Sequence, residues 1–245
     1  MDRPISKNSP GPARNRFHWQ ARGLTRTSRR VDSPVSPSRS ICIVAGERFN
    51  AWTHFSGLVL AILGVPLMLA KTLPGGDAGK IAGGLVFVLS SVVLYAASTF
   101  FHSSHGRTKL WWQRVDHCAI YLLIAGSYTP FALVTLQGLW GWALLVAVWG
   151  MALLGVGREL LWTAAKPPLA LYIGMGWLGV AAAAPLVAHI EAGGLLWLLA
   201  GAALYTVGTI FYVNRAGYRH AHGVWHLFVL GGTASHYVAI ARFVV

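Results

Sequence analysis

The chain is 245 residues long, 55% hydrophobic and only 11% charged. A water-soluble domain carries about 25% charged residues, so this composition excludes an ordinary soluble globule and points to a protein that lies mostly in lipid. The net charge of +13 would suit a nucleic-acid binder, but half of the Lys and Arg residues precede position 50 and most others sit in short connections between apolar segments. That is how a polytopic membrane protein marks its cytoplasmic side, and no nucleic-acid partner is expected.

Residues 1–44 are rich in Arg, Ser and Pro and have almost no apolar run. Such a segment buries too little surface to offset its chain entropy. It is expected to be a disordered, basic, cytoplasmic tail without a signal-peptide core. Anionic lipid heads are its expected partners; a topology signal with no further role is the plainer alternative. Cys42 in this tail and Cys118 in an apolar segment are the only cysteines, so neither a disulfide framework nor a CxxC metal motif is available.

Residues 45–245 read as one all-α membrane domain. Crossing a bilayer takes about 20 apolar residues, and seven segments qualify, at 51–72, 80–101, 115–136, 139–158, 168–189, 193–213 and 223–244. The breaks between them are short: Pro74-Gly75-Gly76-Asp77, Gln137-Gly138 and Lys166-Pro167-Pro168 are the clearest. With the amino terminus inside, the loops after the second, fourth and sixth spans carry Arg107, Lys109, Arg114, Arg158, Lys166, Arg215 and Arg219. The outward side carries only Lys71, Lys80 and Arg242. The positive-inside rule therefore predicts N-in, C-out in the cell's inner (plasma) membrane.

Residues three, four and seven apart share a helix face, and polar residues in a span point at protein or water rather than lipid. Glu47, Asn50 and His54 share a face at the start of the first span. Ser91, Tyr95, Ser98 and His102 form a stripe on the second. On the third, Asp116 and Ser127 align, and Gly126-Ser127-Tyr128-Thr129-Pro130 predicts a kink. His222, His226, Val229, Thr233 and His236 share a face of the seventh. The topology places Glu47, His54, His102, Asp116, His222 and His226 at one depth, near the inner face. His236 lies about 15 Å deeper at 1.5 Å per residue, as a cavity-wall residue.

His222 and His226 are one helical turn apart, a spacing that lets two imidazoles reach one ion. A third from His102 makes a three-histidine set with a coordination position left open, and zinc in such a set lowers the pKa of a bound water to about 7. Asp116 would then act as a general base or orient a ligand from outside the first coordination sphere. Ser98, one turn before His102, could polarise a substrate carbonyl or fix the imidazole. His105, His117, His189 and His220 read as interfacial or loop residues.

Taken together, Glu47-x-x-Asn50-x-x-Thr53-His54, Ser98-x-x-x-His102, Asp116 followed by Gly126-Ser127-Tyr128-Thr129-Pro130, and His222-x-x-x-His226 resemble the haemolysin III proteins of bacteria. These are similar to the progestin and adiponectin receptors of animals. The resemblance covers residues 45–245. It implies a seven-helix fold with a cytoplasmic amino terminus and an intramembrane zinc ion held by His102, His222 and His226. Asp116 would contact the zinc-bound water, and Ser98 matches the serine of the family's first motif. It further implies membrane lipids as partners, with a sphingolipid or fatty-acyl amide as substrate, because the animal receptors are linked to hydrolysis of the ceramide amide bond. Bacterial members are named for haemolysis and linked to membrane lipid homeostasis. Three functions stay open: a zinc-dependent lipid amide hydrolase, a non-enzymatic sensor of membrane state with structural zinc, and a pore-forming cytolysin.

Overall fold

Apolar segments of 21 to 31 residues must satisfy their backbone polar groups internally in lipid, and helices do so within one segment. The computed structural model describes residues 47–136, 138–161 and 169–245. The predicted tail, Cys42, Gln137 and the Lys166-Pro167-Pro168 connection lie outside them. The helices are α1 (Arg48–Thr72), α2 (Ala78–Ser103), α3 (Gly106–Pro130), α4 (Gly138–Leu161), α5 (Leu169–Gly176), α6 (Ala183–His189), α7 (Ala192–Val213) and α8 (Ala221–Phe243). A π-helical segment, Phe131–Leu136, extends α3, and a 3-10 segment, Leu178–Ala182, joins α5 to α6. They make seven helical segments long and apolar enough to cross a membrane, and no strand occurs among the described residues. The protein is a multi-pass membrane protein.

Helix α2 packs along α1 and α3, α4 against α3, and α7 along α8, while α1 also meets α8. Met68, Phe87, Tyr95, Leu123, Val229 and Ile240 meet in the core between α1, α2, α3 and α8. Because the spans alternate, the start of α1, the end of α2 and the starts of α3 and α8 share one face of the bundle.

Two departures from the sequence expectation bear on the site. The third helix begins at Gly106, not 115, so Arg107, Lys109 and Arg114 are helical rather than loop residues. Its charged first turns are held by neighbours: Lys109 pairs with Glu47 and lies 5.0 Å over the Phe101 ring, and Trp112 stacks on Phe100 at 4.6 Å. Asp116 consequently sits well inside α3 rather than at its start.

The fifth span is not one helix but breaks between Gly176 and Ala183. Glycine weakens a helix interior, and here a neighbour takes over the released backbone groups. The Tyr128 hydroxyl donates to the Gly176 carbonyl at 2.6 Å and accepts from the Gly179 N–H at 3.0 Å. Tyr128→Phe leaves both groups unpaired and should cost about 1–3 kcal/mol, read as a lowered thermal midpoint in detergent. The kink expected at Gly126–Pro130 takes the form of π winding immediately after Pro130, whose missing N–H removes a helical hydrogen bond.

Candidate metal centre and cavity

Helices α2 and α8 bring His102, His222 and His226 together. One ring nitrogen from each lies within 4.8 Å of the other two, and the ring centroids are 4.6 to 5.1 Å apart. Two of the three side chains are buried, His102 at 4% and His226 at 0% exposure.

Hydrogen-bond accounting leaves one nitrogen of His226 free to bind. Its Nδ1 lies 3.1 Å from the Asn50 carbonyl and 3.1 Å from Thr53 Oγ1. The carbonyl only accepts, and the Thr53 hydroxyl already donates to that same carbonyl at 2.8 Å, so Nδ1 carries the hydrogen. Nε2 is then a bare lone pair; it is buried and has no partner. A backbone carbonyl fixing the far nitrogen of an imidazole is the usual outer support of a metal-ligating histidine. Both ring nitrogens of His102 are also buried without a hydrogen bond, with Glu47 Oε2 3.8 Å from its Nδ1. The donor set, neutral imidazoles with orphaned buried lone pairs, fits a zinc-like cation.

The close seating of α1 on α8 that delivers Asn50 depends on Gly223. A methyl there would overlap the Phe49 ring and come 2.8 Å from Asn50 Oδ1. His54 is buried and stacks on His226, with centroids 3.5 Å apart and planes 15° from parallel; both its nitrogens lack partners. Asp116 is 7% exposed and makes no ion pair with the three histidines. Ser98 lies beside its carboxyl, yet the hydroxyl finds no hydrogen bond of ordinary geometry.

Asp116 and His54 line one cavity of about 260 Å³, otherwise walled mainly by Leu, Ile, Val and aromatic side chains. One wall is α5, α6 and the 3-10 segment between them; the opposite wall is α7 and α8. Helix α7 packs chiefly on α8, and α5 and α6 on α3, α4 and the π segment, so the two walls meet closely only near the α6–α7 turn, where Leu186 and Ile190 join the core with α7 and α8. Ser127 and His236 also line the cavity but take no part in the histidine cluster. Ser127 donates to the Ile124 carbonyl at 2.8 Å, and His236 Nε2 lies 3.3 Å from the Leu198 carbonyl.

Two features carried little signal in the sequence. Thr53, part of the Glu47-to-His54 motif but with no role assigned from the sequence, supports His226 from 173 residues away, which a single helix face cannot reveal. His117, expected at the interface or in a loop, is paired inside the bundle: its Nδ1 is 3.5 Å from Glu159 Oε2, and Arg158 Nη1 is 3.2 Å from Glu159 Oε1. Glu159 lies one residue past the expected fourth span but inside α4, whose single acidic residue it is; an acid closing an apolar helix is the signal that would have found it.

A seven-helix membrane protein with a largely buried three-histidine cluster next to an apolar cavity is the class that fold and site define. The family model described as Haemolysin-III related matches residues 43–237, and the chain belongs to that family. It is 37% identical to Hemolysin-3 of Bacillus cereus over 212 residues, 85% of this chain and 96% of that one. It is 39% identical to the Hemolysin-3 homolog of Bacillus subtilis (strain 168), over 81% of this chain and 94% of the relative. The human monocyte to macrophage differentiation factor is 27% identical over 79% of this chain and 82% of its own length.

Proposed function

We propose that the protein is a zinc-dependent hydrolase of a lipid amide, with His102, His222 and His226 holding the metal. The observation that carries this reading is a three-histidine cluster, two of its rings buried with bare nitrogens, that meets an apolar cavity through His54, which stacks on His226 and lines that cavity together with the buried carboxylate of Asp116. Zinc held by three imidazoles with a position left open polarises a carbonyl and acidifies water. The chain's own residues supply the rest. Asp116 takes a proton from the attacking water and passes it to the amide nitrogen as the C–N bond breaks, giving a carboxylic acid and an amine. Ser98, beside the Asp116 carboxyl, and His54, both of whose ring nitrogens lack a partner, orient the amide by hydrogen bonds. The apolar walls take the acyl chain and exclude water, and the α5–α6 and α7 walls, which meet closely only near their turn, give a chain entry from lipid.

The test is release of fatty acid from a ceramide and from a simple fatty-acyl amide by zinc-loaded protein in lipid nanodiscs. Equal turnover by wild type and the His102→Ala/His226→Ala double variant would sink the hydrolase. One observation favours the sensor reading: α2 and α8 touch at few positions, so a metal at the cluster would pin them together. That reading requires metal stripping to lower thermal stability with no lipid turned over. Lysis, denoted by the name of the Bacillus relatives, has no comparable observation behind it.

The face bearing the cluster is assigned to the cytoplasm of the inner membrane. Arg48, Arg107, Lys109, Arg114, Arg158, Arg215 and Arg219 gather at its helix ends, against Lys71, Lys80 and Arg242 at the other face. A periplasmic-reporting phosphatase fused after Val245 should then be active, and an inactive fusion with a fluorescent cytoplasmic counterpart would reverse the assignment.

A further inference from the structure

The cavity has a second polar patch, away from Asp116 and His54. It is formed by Thr233 and His236 of α8 and Tyr205 of α7. His236 lies ten residues beyond His226, about 15 Å further along the helix. Thr233 Oγ1 donates to the Val229 carbonyl at 3.0 Å and lies 2.8 Å from both the Tyr95 and the Tyr205 hydroxyls. With its single proton committed, Thr233 can only accept from those two. Tyr205 therefore donates to Thr233, and its oxygen keeps an acceptor position.

His236 is fixed in the same way. Its Nε2 faces the Leu198 carbonyl at 3.3 Å, so Nε2 carries the hydrogen and Nδ1 is a lone pair. That Nδ1 is buried without a partner, on a side chain 8% exposed. Gly201 of α7 makes room for the ring, since a methyl there would overlap it. Both His236 and Tyr205 line the cavity. The patch thus holds two unfilled acceptors and no free donor on residues that line the cavity between apolar walls.

We infer that this patch is a subsite for a hydroxyl group carried part-way along the acyl chain of the cavity's ligand, so that the protein selects hydroxylated over plain fatty-acyl amides. The inference rests on the reading that the cavity takes an acyl chain. The hydroxyl hydrogen is donated to His236 Nδ1, with Tyr205 beside it. A carbonyl or an ether on the chain has no hydrogen to give. An ammonium group has one, but Asp116 is the only acidic residue among the described residues that line the cavity, and an uncompensated charge at that depth is costly.

The test is displacement of a fluorescent stearoyl amide from zinc-loaded protein in nanodiscs. Competitors are plain stearoyl amide and a series carrying one hydroxyl at successive chain positions. Wild type should prefer the hydroxylated isomer about tenfold at one or two positions. His236→Leu should bind the plain chain undiminished and lose the preference. If wild type binds every isomer no better than the plain chain, the subsite is wrong and the acyl cavity stands. A preference that survives in His236→Leu also overturns the subsite. Failure of wild type to bind any chain overturns the cavity reading and the subsite together.

Discussion

His226→Ala should abolish stoichiometric metal binding, taking the protein from about one zinc per chain to none by elemental analysis after purification. Nε2 of His226 is a buried lone pair with no protein partner, held in place by Asn50 and Thr53, so its loss removes the best-prepared of the three donors. Affinity should fall by more than the roughly 10–100-fold that loss of an outer partner costs. Thr53→Val isolates the outer effect. It keeps the β-branched shape and all three imidazoles but removes the hydroxyl from Nδ1, leaving the Asn50 carbonyl alone to orient the ring. Zinc affinity should weaken by about tenfold or more, read by competition with a chelator of known affinity. Undiminished zinc in His226→Ala would mean that the ion, if present, is held elsewhere. Undiminished affinity in Thr53→Val would mean that the carbonyl alone fixes the tautomer.

Asp116→Asn should lower turnover of a lipid amide by about 10²–10⁴-fold, the usual contribution of a positioned general base, while zinc content stays at the wild-type level. The two parts of this expectation have separate structural grounds. Asparagine reproduces the shape of the carboxylate on the cavity wall but accepts no proton, so chemistry is lost. Asp116 makes no ion pair with the histidines among the described residues, so metal retention is expected without its charge. Loss of zinc together with activity would recast Asp116 as a ligand. Full activity would remove it from the reaction and leave Ser98 or His54 as the groups nearest the amide.

Much of the architecture was legible in the sequence because lipid leaves so few options. A backbone that cannot hydrogen-bond to solvent must wind into helices, so hydropathy alone marked out seven crossings. Helical periodicity and the alternation of spans then set His102 of α2 and His222 and His226 of α8 at one level of the bundle. What hydropathy could not locate were features made by residues distant along the chain. The third helix starts early, and Lys109 near that start meets Glu47, 62 residues away. The fifth span breaks where Tyr128 reaches the Gly176 carbonyl across 48 residues. The tautomer of His226 is chosen by the Asn50 carbonyl from 176 residues away. Local pattern decides which segments become helices and which face of each is polar. Which nitrogen is left bare, which carbonyl is taken up and where an acceptor goes unpaired depend on how closely those helices approach, and side-chain packing between them governs that distance.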